Sequence, residues 1–260
     1  MKINRGIAKQ KKRTKVPIEV LLVVFVILLV LVGSQLMAMR AQNRPDKNKA
    51  AESYPTVDYG AALPADAEKK SKRERANRSY DRQSLVTKDP NGTEVTLHND
   101  YLSEIPALPV GGSSAVVLAN VSDAQAFLSN DKTGVYSEFT VQVEKVFKDD
   151  KDAPLNPGSA IKTDRAGGRV KHSANKTVWY HISGQSMPEP GKKYVFFLRR
   201  HPDSENYSII TAYELRSGRV HPLDGDSASF AGAVYENAEE QAFLSKVQEA
   251  VGMAVASGKP

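Results

Sequence analysis

Residues Val135–Phe147, VYSEFTVQVEKVF, decide the fold class of this chain. Phe139, Val141 and Val143 alternate with polar residues, so they share one face of a strand whose other face is polar. Past Lys145 the apolar pattern changes register, which predicts a β-bulge. The segment therefore predicts a strand with one buried face in a β-rich domain.

Similar apolar runs of strand length lie on both sides of this segment, with turn residues between them. The most hydrophobic run, Tyr194–Leu198 (YVFFL), is predicted to lie at the centre of the core. Short strands without intervening helices are typical of a small barrel or sandwich. We therefore predict a mainly β domain over 111–225, a small antiparallel OB-like barrel with a β-sandwich as the alternative. The predicted strands are 115–121, 135–147, 159–164, 177–182, 194–198, 207–213 and 219–223.

The C-terminal region, 226–260, has a different pattern. Apolar residues recur there at helical spacing, at Phe243, Leu244, Val247 and Val251. Residues Asn237–Glu240 resemble a capping box, in which the Asn side chain accepts the first free N–H groups of a helix. These features predict an amphipathic helix over about 238–255. It would pack on the barrel, meet a partner or lie on a membrane surface.

The N-terminal region contains Val20–Gly33, VLLVVFVILLVLVG, without a polar side chain. Continued to Met39, this run is long enough to cross a hydrocarbon core of about 30 Å as a helix. We predict a transmembrane helix over 18–39, with a cleaved signal peptide as the alternative. Seven cations precede the run and only four follow it before residue 50, which predicts a cytoplasmic tail, 1–17, and an exported C-terminal portion. The predicted location is the cell membrane, crossed once.

Residues 40–110 are rich in Ala, Pro, Asp, Lys and Asn and show little apolar periodicity. This composition predicts a flexible linker between the membrane and the β domain. Within it, Lys69–Arg82 is strongly basic. We interpret that stretch as a solvated spacer or short surface helix, with contact to lipid headgroups or cell-wall polymer as the alternative.

The net charge of +6 resembles that of a nucleic-acid-binding protein only until the charge is located. The first fifteen residues carry seven cations and no anion, which leaves 29 cations against 30 anions in the rest of the chain. The basicity therefore indicates topology rather than nucleic-acid binding. The absence of cysteine excludes disulfides, thiol catalysis and cysteine-ligated zinc.

The candidate chemical motifs are weak. Residues Gly184–Pro188 imitate a nucleophile elbow but lack its second glycine, and the aspartates within Asp149–Asp152 alternate with lysine, as in a solvated turn. The histidines show no spacing typical of metal ligands. We therefore predict no catalytic, cofactor-binding or metal residues, no cofactor and no enzymatic activity. The histidines are His98, His172, His181, His201 and His221.

The layout from Ala115 to Asp224 resembles the netrin-like, OB-type barrels related to the tissue inhibitors of metalloproteinases, and it is similar to exported bacterial domains of uncharacterised function. The resemblance is carried by an opening Val-Val-Leu strand, by Tyr136–Val143 and by Gly191–Leu198. It implies an OB-type barrel. Inhibitors of that family rely on an N-terminal cysteine and disulfides, which this chain lacks, so their mechanism is not implied.

The leading functional hypothesis is a membrane-anchored extracytoplasmic binding or scaffolding module. Its partner would be a protein bound through the barrel surface or the C-terminal helix. One alternative is a hydrolase acting on envelope material, with a site assembled only by folding. Another is an exported nucleic-acid-binding OB-like domain, which needs a cationic, aromatic face. The candidate residues for that face are Arg165, Arg169, Lys171, Trp179 and Tyr180.

Overall fold

The structure is a computed structural model that describes residues 54–98, 104–225 and 231–256. The predicted cytoplasmic tail, the predicted transmembrane helix 18–39 and the first part of the predicted linker lie outside these ranges. Within the described ranges, no helix has both the length and the apolar composition needed to cross a membrane.

Five strands close into a barrel, in the order β3-β4-β5-β9-β8 and back to β3. Every neighbouring pair is antiparallel except β5 and β9, which pair in parallel. A ring with an odd number of strands cannot alternate direction throughout, so one parallel pair is required. The predicted barrel is confirmed, and the sandwich alternative is wrong. The barrel strands are β3 (Ala115–Leu128), β4 (Val135–Lys148), β5 (Ala160–Ala166), β8 (Lys193–Arg200) and β9 (Tyr207–Arg216).

The barrel interior is an apolar cluster. Phe139, Val141 and Val143 of β4 all point into it, as their alternation predicted. The register between β3 and β4 shifts near Lys145, which confirms the predicted bulge. On β8, Phe196 lies in this interior cluster, whereas Phe197 lies in a second cluster outside the barrel. Both Phe side chains are fully buried, so β8 is covered on both faces.

The second cluster is covered by the C-terminal helix α2 (Glu240–Ala256), which confirms the predicted helix. Its buried face is Phe243, Val247 and Val251. The predicted capping box is wrong in detail. Glu239 provides the cap, because its carboxylate accepts the backbone N–H groups of residues 241 and 242 at 3.1 and 2.7 Å. The rest of this layer is β10 (Arg219–Pro222) and a 3-10 turn (Ala231–Tyr235).

A second, four-stranded sheet covers another part of the barrel, in the order β1-β6-β7-β2. One face of it is apolar and packs with the ends of β3 and β4, through Val170, Val178 and Tyr180. The central hairpin of β6 and β7 is antiparallel, and both flanking strands pair with it in parallel. The strands are β1 (Thr56–Asp58), β2 (Glu94–Leu97), β6 (Gly168–Ser173) and β7 (Lys176–Ile182).

The predicted flexible linker is wrong for its described part, 54–98 and 104–110. That part contributes β1, β2 and the helix α1 (Ala67–Arg78), which overlaps the basic stretch. It also buries apolar side chains against the domain, at Tyr80, Leu85, Val86, Ile105 and Val110. Single buried residues separated by polar ones give no periodicity, and β1 and β2 are too short to show alternation. This segment therefore folds through contacts with residues that are distant in the sequence.

Candidate polar sites on the barrel

A buried polar cluster joins α1 to the outer side of the barrel. Its residues come from α1 and the loop after it, from β4 and β5, and from the turn before β9. We call this cluster the polar seam and define it as Arg73, Tyr80, Tyr136, Glu138, Asp164 and Asn206.

Glu138 is the acidic centre of the seam on the α1 side. Alternation along β4 places it on the polar face, yet it is buried. Arg73 donates to its carboxylate with both terminal nitrogens, at 2.9 and 3.4 Å, and Lys162 Nζ lies 3.4 Å away. Burial alone would raise the pKa of Glu138, but the hydrogen bonds and charge of Arg73 outweigh it and hold the pKa below its ordinary value.

Asp164 is the second carboxylate of the seam and is fully buried. Its Oδ1 accepts the Tyr80 hydroxyl at 2.6 Å and lies 2.8 Å from His201 Nε2. Its Oδ2 accepts Asn206 Nδ2 at 3.2 Å, and the same amide nitrogen donates to Glu138 at 3.0 Å. Asn206 therefore separates two carboxylates by donating to both.

Two tyrosines close the seam. The rings of Tyr80 and Tyr136 stack with their centroids 4.1 Å apart, and the Tyr136 hydroxyl donates to Asn77 Oδ1 at 2.8 Å. Burial raises the pKa of both hydroxyls, so they act as neutral donors. Arg73 also lies over the Phe127 ring, 3.4 Å from its centroid.

The His201 ring connects this buried seam to the surface. Its Nδ1 lies 3.2 Å from Ser79 Oγ, while its Nε2 faces Asp164. Ser79 is exposed and directly follows the last residue of α1. A hydroxyl, an imidazole and a buried carboxylate are thus hydrogen-bonded in series. Sequence reasoning missed Ser79 and Asp164 because the three residues lie far apart along the chain. Ser79 is 85 residues before Asp164, and Asp164 is 37 residues before His201.

A separate buried ion pair lies on the other side of β5. Arg165 donates to both oxygens of Asp224, at 2.7 and 2.6 Å, and both side chains are almost fully inaccessible. Thr211 also donates to Asp224, and Arg165 also donates to the Ser186 carbonyl. The ion pair links Arg165 of β5 to Asp224, which also accepts from Thr211 of β9. Arg165 therefore lies in the interior.

The polar face of the four-stranded sheet is the other candidate site. Arg169 and Trp179 are directly opposed across β6 and β7, so they project from the same face. Trp179 stacks on His181 with a centroid distance of 3.9 Å, and His181 Nε2 lies 2.7 Å from Glu94. Tyr180 points to the opposite, buried face. Of the five nucleic-acid candidates, the structure therefore brings Arg169, Lys171 and Trp179 to one face and buries Arg165 and Tyr180.

A shallow cavity of about 540 Å³ adjoins that face, where β1 meets β6. Asp58 and Lys171 are paired across the two strands and give it both signs of charge. His172, also in its lining, lies 3.0 Å from the Tyr180 hydroxyl, and burial lowers the pKa of the imidazole. The lining is Asp58, Gly60, Ala61, Lys171, His172, Ser173 and Ala174.

The remaining candidates from sequence lie apart from one another. His221 pairs with Glu236 on the surface, and Asp150 is buried where it accepts the Tyr207 hydroxyl at 2.9 Å. Residues Gly184–Pro188 form a loop in which Ser186 donates its N–H to Asp224. Across the described residues, no three His, Asp or Glu side chains are grouped so that they could hold a metal ion.

No protein-family model matches this chain, and a search of curated proteins finds no relative.

Proposed function

We propose that this chain is a membrane-anchored, extracytoplasmic binding or scaffolding module built on an OB-type barrel. The OB-type assignment is supported by the order of the barrel strands. Numbered within the barrel, they run 1-2-3-5-4 and back to 1, with strands 3 and 5 parallel. The anchor and the exported position are supported by the apolar run Val20–Gly33 and by the excess of cations before it.

The binding surface is the polar face of the four-stranded sheet together with its adjoining cavity. The observation that carries this proposal is the cavity where β1 meets β6, lined by Asp58, Lys171 and His172, on a sheet whose same face carries Arg169 and Lys171. Polar and aromatic groups that converge on a concavity are typical of ligand sites. The opposed charges of Asp58 and Lys171 favour a polar ligand or protein surface over an apolar one.

A photocrosslinking experiment in native membranes tests this surface. A photoreactive side chain at Ser173, in the cavity lining, should give one discrete product, whereas the same group at exposed Lys151 should not. Lys171→Glu should abolish the product by reversing a charge in the cavity. Equal products from both positions, or a product unaffected by Lys171→Glu, would contradict the proposed surface.

The topology is tested separately. Protease added to intact spheroplasts should degrade a tag placed at the C-terminus, because the proposal exports that end of the chain. Survival of the tag until lysis would refute the orientation. A soluble mature protein that lacks residues 1–34 would refute the anchor and favour the signal-peptide alternative.

The two alternatives differ in their support. The nucleic-acid hypothesis loses Arg165 and Tyr180, which are buried, so its cationic aromatic face is reduced to Arg169, Lys171 and Trp179. The hydrolase hypothesis gains a specific observation, the hydrogen-bonded series of Ser79, His201 and Asp164.

A further inference from the structure

We propose that Ser79 is the nucleophile of an ester-hydrolysing site, with His201 as its general base and Asp164 as the positioning residue. This activity goes beyond the proposed binding role and departs from the sequence-based prediction that the chain has no catalytic residues. It rests on atoms at the polar seam rather than on the cavity of the four-stranded sheet, so the two proposals stand or fall independently.

The geometry assigns the three roles. Asp164 is fully buried and faces His201 Nε2 at 2.8 Å, so its carboxylate retains the proton on that nitrogen. The other nitrogen, Nδ1, then presents its lone pair to Ser79 Oγ at 3.2 Å. This is the arrangement of a nucleophile, a base and an orienting acid, with the two imidazole nitrogens exchanged relative to chymotrypsin-type enzymes.

The supporting groups hold Asp164 in place. Tyr80 and Asn206 both donate to it, and the burial that raises the pKa of Tyr80 keeps that donor neutral. The chain just after Ser79 is also unusual. Arg82 and Ser84 adopt left-handed backbone conformations, with φ of 63° and 53°, although neither is glycine. Backbone strain of this kind is concentrated at functional sites.

The surroundings of Ser79 restrict the substrate. Ser79 is exposed, so esters of short acyl groups such as acetyl suit it better than long acyl chains, which need an enclosed apolar channel. The backbone N–H groups of Tyr80 and Asp81 already donate to the carbonyls of Asn77 and Arg78. They are therefore not free to stabilise an oxyanion, a contribution worth about 10²–10³ in rate. We expect slow turnover, restricted to esters with good leaving groups.

The reaction is a two-step hydrolysis. Ser79 Oγ attacks the ester carbonyl carbon while its proton passes to His201 Nδ1. The bond from that carbon to the alcohol oxygen breaks, and His201 returns the proton to the departing alcohol. Water then attacks the acyl carbon while His201 takes its proton. The bond from that carbon to Ser79 Oγ breaks, the carboxylic acid leaves, and His201 returns the proton to Oγ.

The test uses the full chain solubilised from membranes. A fluorophosphonate probe should label Ser79, located by peptide mass spectrometry, and p-nitrophenyl acetate should be hydrolysed. Ser79→Ala should abolish both signals. His201→Gln should slow labelling about 100-fold, the effect expected for loss of a general base. The matched control is Ser186→Ala, an exposed serine in the loop that imitates a nucleophile elbow, which should behave as the parent.

A pH profile separates catalysis from a structural role. The labelling rate of the parent should rise with pH, whereas that of His201→Gln should not. Asp164→Asn should still be labelled at Ser79 but more slowly and with a displaced profile. Absence of label at Ser79 from a folded parent, or label whose rate is the same in His201→Gln, would overturn the proposal. Melting curves of Ser79→Ala and His201→Gln establish that these variants are folded.

Discussion

The barrel interior and the polar seam are both buried, but they are held together in different ways. The apolar cluster of the interior is filled by side chains from neighbouring strands, such as Phe139 and Phe196, and none of its members needs one particular partner. In the seam, each group depends on a specific counterpart, as Arg73 depends on Glu138. Apolar packing tolerates imperfect shape, whereas an unpaired buried charge is strongly destabilising. The two regions should therefore respond differently to mutation and to pH.

The largest expected effect is in the apolar region. Phe196→Ala and Phe197→Ala each remove a fully buried ring, one inside the barrel and one under α2. Each should lower the free energy of unfolding by about 3–5 kcal/mol, measured by urea denaturation at neutral pH. Neither effect should depend on pH, since no titratable group is removed. A variant as stable as the parent would contradict the assignment of β8 to the core.

The next effect is in the seam. Arg73→Met keeps much of the side-chain length but removes both hydrogen bonds to Glu138. We expect a loss of about 2–3 kcal/mol, because hydrogen bonds to charged groups are among the stronger ones and Glu138 is left buried with fewer donors. Arg75→Met, on the exposed side of the same helix, is the matched control and should change stability little. Equal effects would show that the seam is not held by this pair.

The same pair predicts a dependence on pH. The folded protein lowers the pKa of Glu138 below its ordinary value of 4.5, so ionised Glu138 stabilises the fold above that pH. The stabilisation should be lost as pH falls from 4.5 through the folded pKa. In Arg73→Met the folded pKa should rise towards 4.5, so the loss of stability on acidification should be smaller than in the parent. Urea denaturation between pH 7 and pH 3.5 measures both curves, and coincident pH profiles would exclude Arg73 as the cause.

The sequence predicts much of the barrel but little of the seam. Alternation in Val135–Phe147 predicted the interior face of β4, and Tyr194–Leu198 was correctly placed in the core, because strand patterns are local. The contacts of the seam join residues as far apart as Arg73 and Glu138, or Ser79 and His201, and no local pattern encodes them. Glu138 illustrates the limit, because its position on the polar face was predicted and its burial was not.

The same limit explains why the composition of residues 54–98 predicts a linker although the segment is folded. Their apolar residues are scattered, and β1 and β2 find their hydrogen-bond partners only in β6 and β7, about 80 to 110 residues further along the chain. Their fold therefore depends on the β6–β7 hairpin being in place. The barrel, whose consecutive strands β3, β4 and β5 pair with one another, does not depend on it in this way.

The backbone of the chain that forms the seam approaches the barrel closely at Gly134. A Cβ atom at Gly134 would lie 2.2 Å from the Tyr80 carbonyl oxygen, so Gly134→Ala must push the chain of the seam away from the barrel. We expect a loss of about 1–3 kcal/mol, typical of overpacking. Gly111→Ala is the matched control, since a Cβ there meets nothing within 4 Å. If the two variants were equally stable, the seam could shift without a free-energy cost.

The smallest expected effect concerns α1 itself, the helix that carries Arg73 to the seam. Asp66 caps it by accepting the Lys69 N–H at 2.8 Å, so Asp66→Ala should lower stability by about 1 kcal/mol. Asp66→Asn retains a cap and should recover most of that loss. If α1 is folded only because the seam holds it, the effect of Asp66→Ala should shrink in an Arg73→Met background, where the helix is already released. Additive losses in the double variant would show that the cap and the seam stabilise α1 independently.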